Sequence, residues 1–97
     1  MTATMFALAA VNPEGKEKAA EYSEGVKPLL DQFGGIPVGR YPISAHLVGN
    51  HAANVLLQVE FASMAEVMMF LGSPEYRALI PLREAGFTSM QIYVSEA

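Results

Sequence analysis

An arginine and a glutamate on two predicted strands are the side chains best suited to chemistry. Arg40 stands among small and apolar residues in the stretch 36–42, where its guanidinium would offer a planar fork to a carboxylate or an enolate. Glu60 falls on the mixed face of its strand, where partial burial would raise its pKa and suit it to proton transfer. We predict both as catalytic candidates. The alternative interpretation is an edge arginine that lies in solvent or pairs with Glu60.

Several other polar side chains are candidates for hydrogen bonds to a ligand. They are Tyr22, Gln58, Tyr76, Gln91 and Tyr93. Tyr22 and Tyr76 fall on apolar stripes of predicted helices, where a core tyrosine with a bonded hydroxyl is the alternative. Gln91 and Tyr93 share one face of the last predicted strand, and packing at an interface would explain them equally well.

Metal binding is not predicted. His46 and His51 flank a predicted turn, but no third ligand accompanies them, and a pair of loop histidines is the simpler interpretation. The chain has no cysteine, which excludes disulfides and thiolate metal sites. A reducing compartment suits such a chain, so we expect the cytoplasm.

Length and composition indicate one small domain that associates with itself. The chain has 97 residues, and we predict a single domain over residues 1–97. A domain of this size buries only about 60 to 65% of the surface of its unfolded chain, so association would stabilise it. Apolar residues make up 52% of the chain and charged residues 16%, below the roughly 25% usual for a soluble domain. We therefore predict a homodimer.

The charge and the apolar pattern of the chain argue against two classes of partner, nucleic acids and membranes. The net charge is −4 and no run of basic residues occurs, so the electrostatic footprint of a nucleic-acid-binding protein is missing. The apolar start of the chain, residues 1–11, lacks a basic flank and is too short to span a bilayer. We predict no nucleic-acid partner and no membrane partner.

The apolar pattern predicts the elements of the first part of the chain. Residues 5–11 are apolar at both parities, as in a central strand. A helical repeat of apolar residues follows and ends at Gly34-Gly35, glycine being the residue that adopts the left-handed cap without strain. The stretches 36–44 and 54–61 then predict a hairpin with its turn at Gly49-Asn50.

The remaining signals complete an α+β fold. The run Ser63-Met64-Ala65-Glu66 is a capping box, Ser73-Pro74 starts a further short helix, and residues 87–94 alternate as a last strand. The order βαββαβ predicts a ferredoxin-like, four-stranded antiparallel sheet with helices on one face. The other face would carry Leu56, Phe87 and Tyr93 without cover, and a second copy is the economical partner for it.

The chain also resembles a known family. Asp31-Gln32-Phe33-Gly34-Gly35, Val59-Glu60-Phe61-Ala62-Ser63, Ser73-Pro74-Glu75-Tyr76 and Pro81-Leu82-Arg83, in this order, are similar to the domain of unknown function 1330 family. The resemblance covers residues 5–94. It implies a dimeric α+β barrel, two ferredoxin-like protomers whose sheets pack together. The prolines that bracket Arg40, Pro37 and Pro42, depart from the usual family pattern and place this strand near an edge of the sheet.

The resemblance leaves the function open, because fold does not determine function. Proteins of the superfamily include cofactor-free monooxygenases of aromatic polyketides, lactone isomerases, haem-handling proteins and small-ligand binders. The first hypothesis is accordingly a cofactor-independent enzyme of isomerase, cyclase or monooxygenase type, or a binder of a small apolar or aromatic, anionic ligand. It requires no cofactor. The alternatives are a non-catalytic dimerisation module and a haem-handling protein.

Overall fold

A computed structural model of the chain describes residues 2–50 and 52–96. The strands are β1 (Ala3–Val11), β2 (Ile36–Pro42), β3 (Val55–Phe61) and β4 (Phe87–Glu96), and the helices are α1 (Lys16–Phe33), α2 (Met64–Gly72), α3 (Pro74–Arg77) and α4 (Ile80–Gly86). The sheet order is β2-β3-β1-β4, and every neighbouring pair is antiparallel. This confirms the predicted ferredoxin-like α+β fold.

The core lies between the helices and one face of the sheet. Its buried members are Ala3, Met5, Tyr22, Leu29, Leu30, Val59, Phe61, Val67, Phe70 and Tyr76. The strand members follow the period of two that a strand imposes, and the helix members follow the turns of α1, α2 and α3. Among the described residues, no helix is both long and apolar enough to cross a membrane.

The long helix α1 ends as its sequence predicts. Gly34 adopts a left-handed conformation with φ 77°, and the amide of Gly35 donates to the carbonyl of Leu30 at 2.7 Å. The hydrogen bond from Gly35 satisfies the Leu30 carbonyl, which the end of the helix would otherwise leave without a partner. Pro28 lies inside α1 without ending it.

The two predicted helix caps behave differently. Ser73 is buried, accepts the amide of Tyr76 at 3.1 Å and donates to the carbonyl of Phe70 at 2.9 Å, so it links the end of α2 to the start of α3. Ser63 precedes α2 as expected, but its hydroxyl donates to the Glu66 carboxylate and caps no backbone amide. The capping box is therefore only a side-chain contact.

Two irregularities in strand pairing change which face a residue occupies. Val11 pairs with Phe87 whereas Ala10 pairs with Ser89, so Thr88 is an extra residue in β4. A bulge of this kind moves the next residue to the other side of the sheet. Phe87 consequently packs on the helix side, with its ring 5.5 Å from that of Tyr22, and its predicted place on the uncovered face was wrong.

The second irregularity lies in the edge strand β2. Pro37 pairs with Val59 and Gly39 with Gln58, which leaves Val38 as the extra residue. Arg40 then pairs with Leu57 and lies on the helix side of the sheet.

The hairpin connection is longer than its predicted turn. Strand β2 ends at Pro42 and β3 begins at Val55, and residues 43–50 between them are exposed. Gly49 has a positive φ of 106°, as the predicted turn requires. Asn54 anchors the far side of the loop, because its carbonyl accepts the amide of Ile43 and its amide donates to the carbonyl of Ala9, each at 2.7 Å. His51 lies outside the described residues.

Candidate functional site

A cavity of about 280 Å³ lies between α1 and the sheet. Its walls are mostly apolar, and it is partly open to solvent. Its lining residues are Met5, Ala7, Ala9, Val11, Lys16, Ala19, Ala20, Tyr22, Ser23, Val26, Leu30, Arg40, Val55, Leu57, Phe70, Phe87, Met90 and Ile92. The volume is near the lower limit of small-molecule sites, which are typically apolar with a few polar groups.

The small side chains of the sheet make room for this cavity. Ala7 and Ala9 lie on the helix side of the central strand β1, with Leu57 and Val55 beside them on β3. An alanine leaves a gap where a larger residue would reach the helix, so α1 and the sheet do not close completely over these positions. The cavity therefore results from the small side chains of β1 and requires no distortion of the fold.

Two cations line the cavity, and both are exposed. Lys16 starts α1 and Arg40 extends from β2, and among the described lining residues they are the only charged ones. No aspartate or glutamate of the described part of the chain lines the cavity with them. An anionic group in the cavity would therefore meet only positive charges among the described charged lining residues.

A chain of hydrogen bonds reaches the cavity wall from Arg83 on α4. Arg83 donates from Nη1 to the hydroxyl oxygen of Tyr76 at 3.0 Å, and the hydroxyls of Tyr76 and Tyr22 lie 2.8 Å apart. The Tyr22 hydroxyl donates to Sδ of Met90 at 3.7 Å. Tyr22 and Met90 line the cavity, whereas Tyr76 lies behind them and is 2% exposed.

The direction of this chain follows from its first member. A guanidinium only donates, so the oxygen of Tyr76 accepts from Arg83, and the arrangement that gives both hydroxyl protons a partner has Tyr76 donate to Tyr22. Tyr22 then has its own proton left for Met90. Burial raises the pKa of Tyr22 far above its ordinary value, so this hydroxyl stays neutral.

Arg83 remains a cation although it is partly buried. Desolvation lowers its pKa, but the hydrogen bond to Tyr76 and the surrounding charges raise it by more, and the net change is upward. Its guanidinium carbon also lies 5.9 Å from the centre of the Tyr76 ring, within the range of a cation–π contact. Arg83 lines a second cavity of about 260 Å³, which shares Phe87, Met90 and Ile92 with the first.

The structure brings only part of the predicted site together. Arg40 and Tyr22 line the same cavity, and Tyr76 joins it through its hydrogen bond to Tyr22. Glu60 pairs with Ile36 and Thr4, on the face that points away from the helices. Arg40 and Glu60 are thus on opposite sides of the sheet, and neither the predicted catalytic pair nor the alternative ion pair forms within this chain.

The other strand candidates lie on the same uncovered face as Glu60. Gln58 and Tyr93 both pair with Phe6, and Gln91 pairs with Leu8, so none of them contacts the cavity. Their grouping with Arg40 in one site was wrong, because the parity of β2 relative to β3 depends on the bulge at Val38.

Sequence reasoning missed Arg83 and Met90 as parts of the site. Arg83 and Met90 are connected through the hydrogen bond between Tyr22 and Tyr76, which lie on helices far apart in the chain. A local pattern carries no signal for such a contact; the helical spacing of each tyrosine indicated only that both are buried.

The uncovered sheet face remains rich in large side chains. Tyr93 is 57% exposed and Tyr41 is 48% exposed, and both lie on this face with Phe6 and Leu56. The loop that follows β2 adds Leu47 and Val48, which are also strongly exposed.

Comparison with known proteins gives a family and a fold. The model of the family described as "Domain of unknown function (DUF1330)" matches residues 4–97. A comparison with curated protein sequences finds no match. A solved protein of unknown function from Rhodopseudomonas palustris, RPA0582, superposes with a TM-score of 0.86 at 20% identity, covering 99% of this chain and 82% of that one.

Two other solved structures share the fold at lower identity. A dimeric ferredoxin-like protein of unknown function from Jannaschia sp. CCS1 superposes with a TM-score of 0.76 at 10% identity over 100% of both chains. SnoaB, a cofactor-independent oxygenase from Streptomyces nogalater, superposes with a TM-score of 0.70 at 8% identity over 99% of this chain and 92% of its own. At these identities the likeness shows the fold alone.

Proposed function

The chain belongs to the DUF1330 family, and from its own cavity we propose that it binds a small aromatic or otherwise apolar carboxylate between α1 and the sheet. The observation that carries this proposal is an apolar cavity whose described charged lining residues, Lys16 and Arg40, are both cationic. The apolar walls favour the body of the ligand, and the two cations favour its anionic group. Arg40 supplies a planar fork that matches a carboxylate.

Catalysis without a cofactor is the enzymatic form of this proposal. The neutral, buried hydroxyl of Tyr22 is a hydrogen-bond donor within the cavity, and such a donor stabilises negative charge that develops on a substrate oxygen. SnoaB, of the same fold, is described as a cofactor-independent oxygenase, which makes turnover of an aromatic acid the first activity to assay. Glu60 is not part of this proposal, because it lies on the other face of the sheet.

A homodimer through the uncovered face is the second part of the proposal. The Jannaschia protein is described as dimeric. In this chain the uncovered sheet face carries exposed Tyr41 and Tyr93 beside Phe6 and Leu56. Gln58, Glu60 and Gln91 would then serve specificity of packing. The cavity favours a ligand binder over a purely structural dimerisation module. The cytoplasm stays the proposed location because the chain lacks cysteine.

Calorimetric titration with 2-naphthoate tests the ligand proposal. Its neutral amide, 2-naphthamide, has the same rings and serves as the matched probe. We expect the acid to bind and the amide to bind at least tenfold more weakly, which corresponds to about 1.4 kcal/mol. Arg40→Gln should remove this preference, whereas Arg77→Gln, which removes an exposed arginine outside the cavity, should retain it.

Equal binding of acid and amide, or loss of the preference in both variants, would contradict the proposal. Titration with haem tests the remaining alternative, since a Soret shift on addition would favour a haem-handling protein. Of the two histidines, only His46 lies among the described residues; it is exposed on the β2–β3 loop and does not line the cavity.

A further inference from the structure

The Tyr22 hydroxyl ends its hydrogen-bond chain on a poor acceptor. A thioether sulfur accepts only weakly, and the distance from the Tyr22 oxygen to Sδ of Met90 is 3.7 Å. Tyr22 is 8% exposed, so water does not replace this partner freely. A buried phenol gains free energy when its proton meets a stronger acceptor than sulfur.

The members behind Tyr22 keep its proton directed at that position. Arg83 cannot accept a hydrogen bond, so Tyr76 accepts from it, and donation from Tyr76 to Tyr22 is the arrangement in which both hydroxyl protons have an acceptor. Tyr22 cannot turn its own proton back to Tyr76 without leaving two protons between the same oxygens. The positive charge of Arg83 further polarises both hydroxyls along the chain, which strengthens donation at its end.

We infer that Tyr22 donates its hydrogen bond to an oxygen of the ligand, in place of Met90, and that the ligand is therefore a carboxylate with a second oxygen acceptor, a ring carbonyl or enolate, on its apolar body. This inference rests on the proposed function and specifies its ligand class. Arg83 and Tyr76 are positioning residues in it: they orient and polarise Tyr22 without contact with the ligand.

The spacing of the two anchor points agrees with one small molecule. Lys16 and Tyr22 both lie on α1, six positions apart, which is about 9 Å along a helix axis. Side chains of lysine and tyrosine shorten or lengthen this span by several ångströms. A bicyclic acid is of comparable length, so one molecule is long enough to place its carboxylate near Lys16 and an oxygen of its distant ring near Tyr22.

Two acids that differ only at that oxygen test the inference. The probes are 1-indanone-5-carboxylate, which carries a ring ketone, and indane-5-carboxylate, which carries a methylene in its place. In the wild-type protein we expect the ketone acid to bind about three- to tenfold more tightly, the range of one hydrogen bond between neutral groups. The infrared stretch of the bound ketone should also shift to lower frequency relative to that of the free acid.

Variants of the hydrogen-bond chain distinguish the effect of the hydrogen bond from Tyr22 from the effect of altered packing. Tyr22→Phe should bind the two acids equally and should lose the infrared shift, and Arg83→Gln should reduce both the preference and the shift. Met90→Leu keeps the volume but removes the sulfur, so its preference for the ketone should equal or exceed that of the wild type. Arg77→Gln, at an exposed position outside the cavity, is the control and should behave as the wild type.

Each outcome decides the matter. If neither acid binds, the proposed function fails and this inference fails with it. If both acids bind equally to the wild type, the carboxylate site stands and the Tyr22 donor is excluded. A ketone preference or infrared shift that survives Tyr22→Phe would assign the acceptor to another group. Should Tyr22→Phe not fold, an unchanged ketone preference in Arg83→Gln together with a lost preference in Met90→Leu would overturn the inference.

Discussion

Gly86 lies against the backbone of Ala19 so closely that a Cβ atom on it would come within 2.5 Å of the Ala19 amide nitrogen. This contact holds the end of α4 to the first turns of α1, beside the residues that begin the cavity wall. Because the opposing atoms belong to the backbone, no side-chain rotation relieves the overlap. The absence of a side chain at Gly86 is thus a condition of the way the two helices meet.

Gly86→Ala should therefore destabilise the protein by about 3 kcal/mol, at the upper end of the usual cost of overpacking. Urea unfolding followed by circular dichroism measures the change. Gly72→Ala is the matched control, because a Cβ atom there meets nothing within 4 Å, and it should be neutral or slightly stabilising. A loss below about 1 kcal/mol in Gly86→Ala would mean that the helices separate easily at this point.

The two serine caps should differ in their contribution to stability. Ser73→Ala removes a bond to the Tyr76 amide and one to the Phe70 carbonyl in a buried position, and we expect a loss of about 1 to 2 kcal/mol. Ser63→Ala removes only a side-chain contact with Glu66, so its loss should remain below about 0.5 kcal/mol. Parallel thermal melts of the two variants would check this order, and the reverse order would contradict it.

Arg40→Lys should weaken binding of 2-naphthoate by about 1 to 3 kcal/mol while the melting temperature stays unchanged. Lysine keeps the charge but loses the planar fork, and the exposed position of Arg40 makes the exchange harmless to folding. Calorimetry and a thermal melt on one preparation measure both quantities. A variant with unaltered affinity would reduce the role of Arg40 to that of a positive charge.

Stability should fall at alkaline pH because of Tyr22. Burial raises the pKa of Tyr22 in the folded protein, whereas in the unfolded chain this tyrosine titrates near its ordinary value of about 10. The stabilisation is complete below that value and is lost progressively as the pH rises above it. Urea unfolding between about pH 9 and about pH 11 should show a shallower decline in Tyr22→Phe than in the wild type.

Met68→Leu provides the comparison for that decline, since Met68 is exposed on α2 and carries no titratable group. It should follow the wild-type curve. Parallel curves for wild type and Tyr22→Phe would show that another group causes the alkaline loss.

Leu56→Glu should convert a dimer into a monomer. Leu56 lies on the uncovered face beside Leu8 and Tyr41, and a carboxylate there would be desolvated without a partner in a sheet-to-sheet interface. Light scattering should give twice the chain mass of 10.4 kDa for the wild type and a single mass for the variant. Met69→Glu, at an exposed position of α2, should leave the dimer intact.

Alternating patterns predicted the fold well and the site only in part. The period of two correctly placed Leu56 and Tyr93 on the uncovered face. The same period misplaced Phe87, because nothing in the local sequence marks Thr88 as an extra residue. A bulge depends on the register of the neighbouring strand, and register is a property of the whole sheet.

The hydrogen-bond chain illustrates the other limit of sequence reasoning. Tyr22 and Tyr76 were both recognised as tyrosines on buried helical stripes. Their contact depends on the angle at which α1 and α3 cross the sheet, and Arg83 enters only because α4 follows one turn later. These contacts depend on tertiary packing, which cannot be predicted from the spacing of residues along the chain.

Because β3 has two faces, substitutions in it can change either the cavity or the opposite surface of the sheet. Substitutions at positions 55 and 57 reach the cavity, whereas those at 56 and 58 reach the opposite surface. Descendants of one ancestor are thus free to change their ligand while they keep their association, or the reverse, through alternate codons of a single strand. The insertion of one codon would exchange the two sets at once, so we expect lengths in this strand to vary far less than the residues themselves.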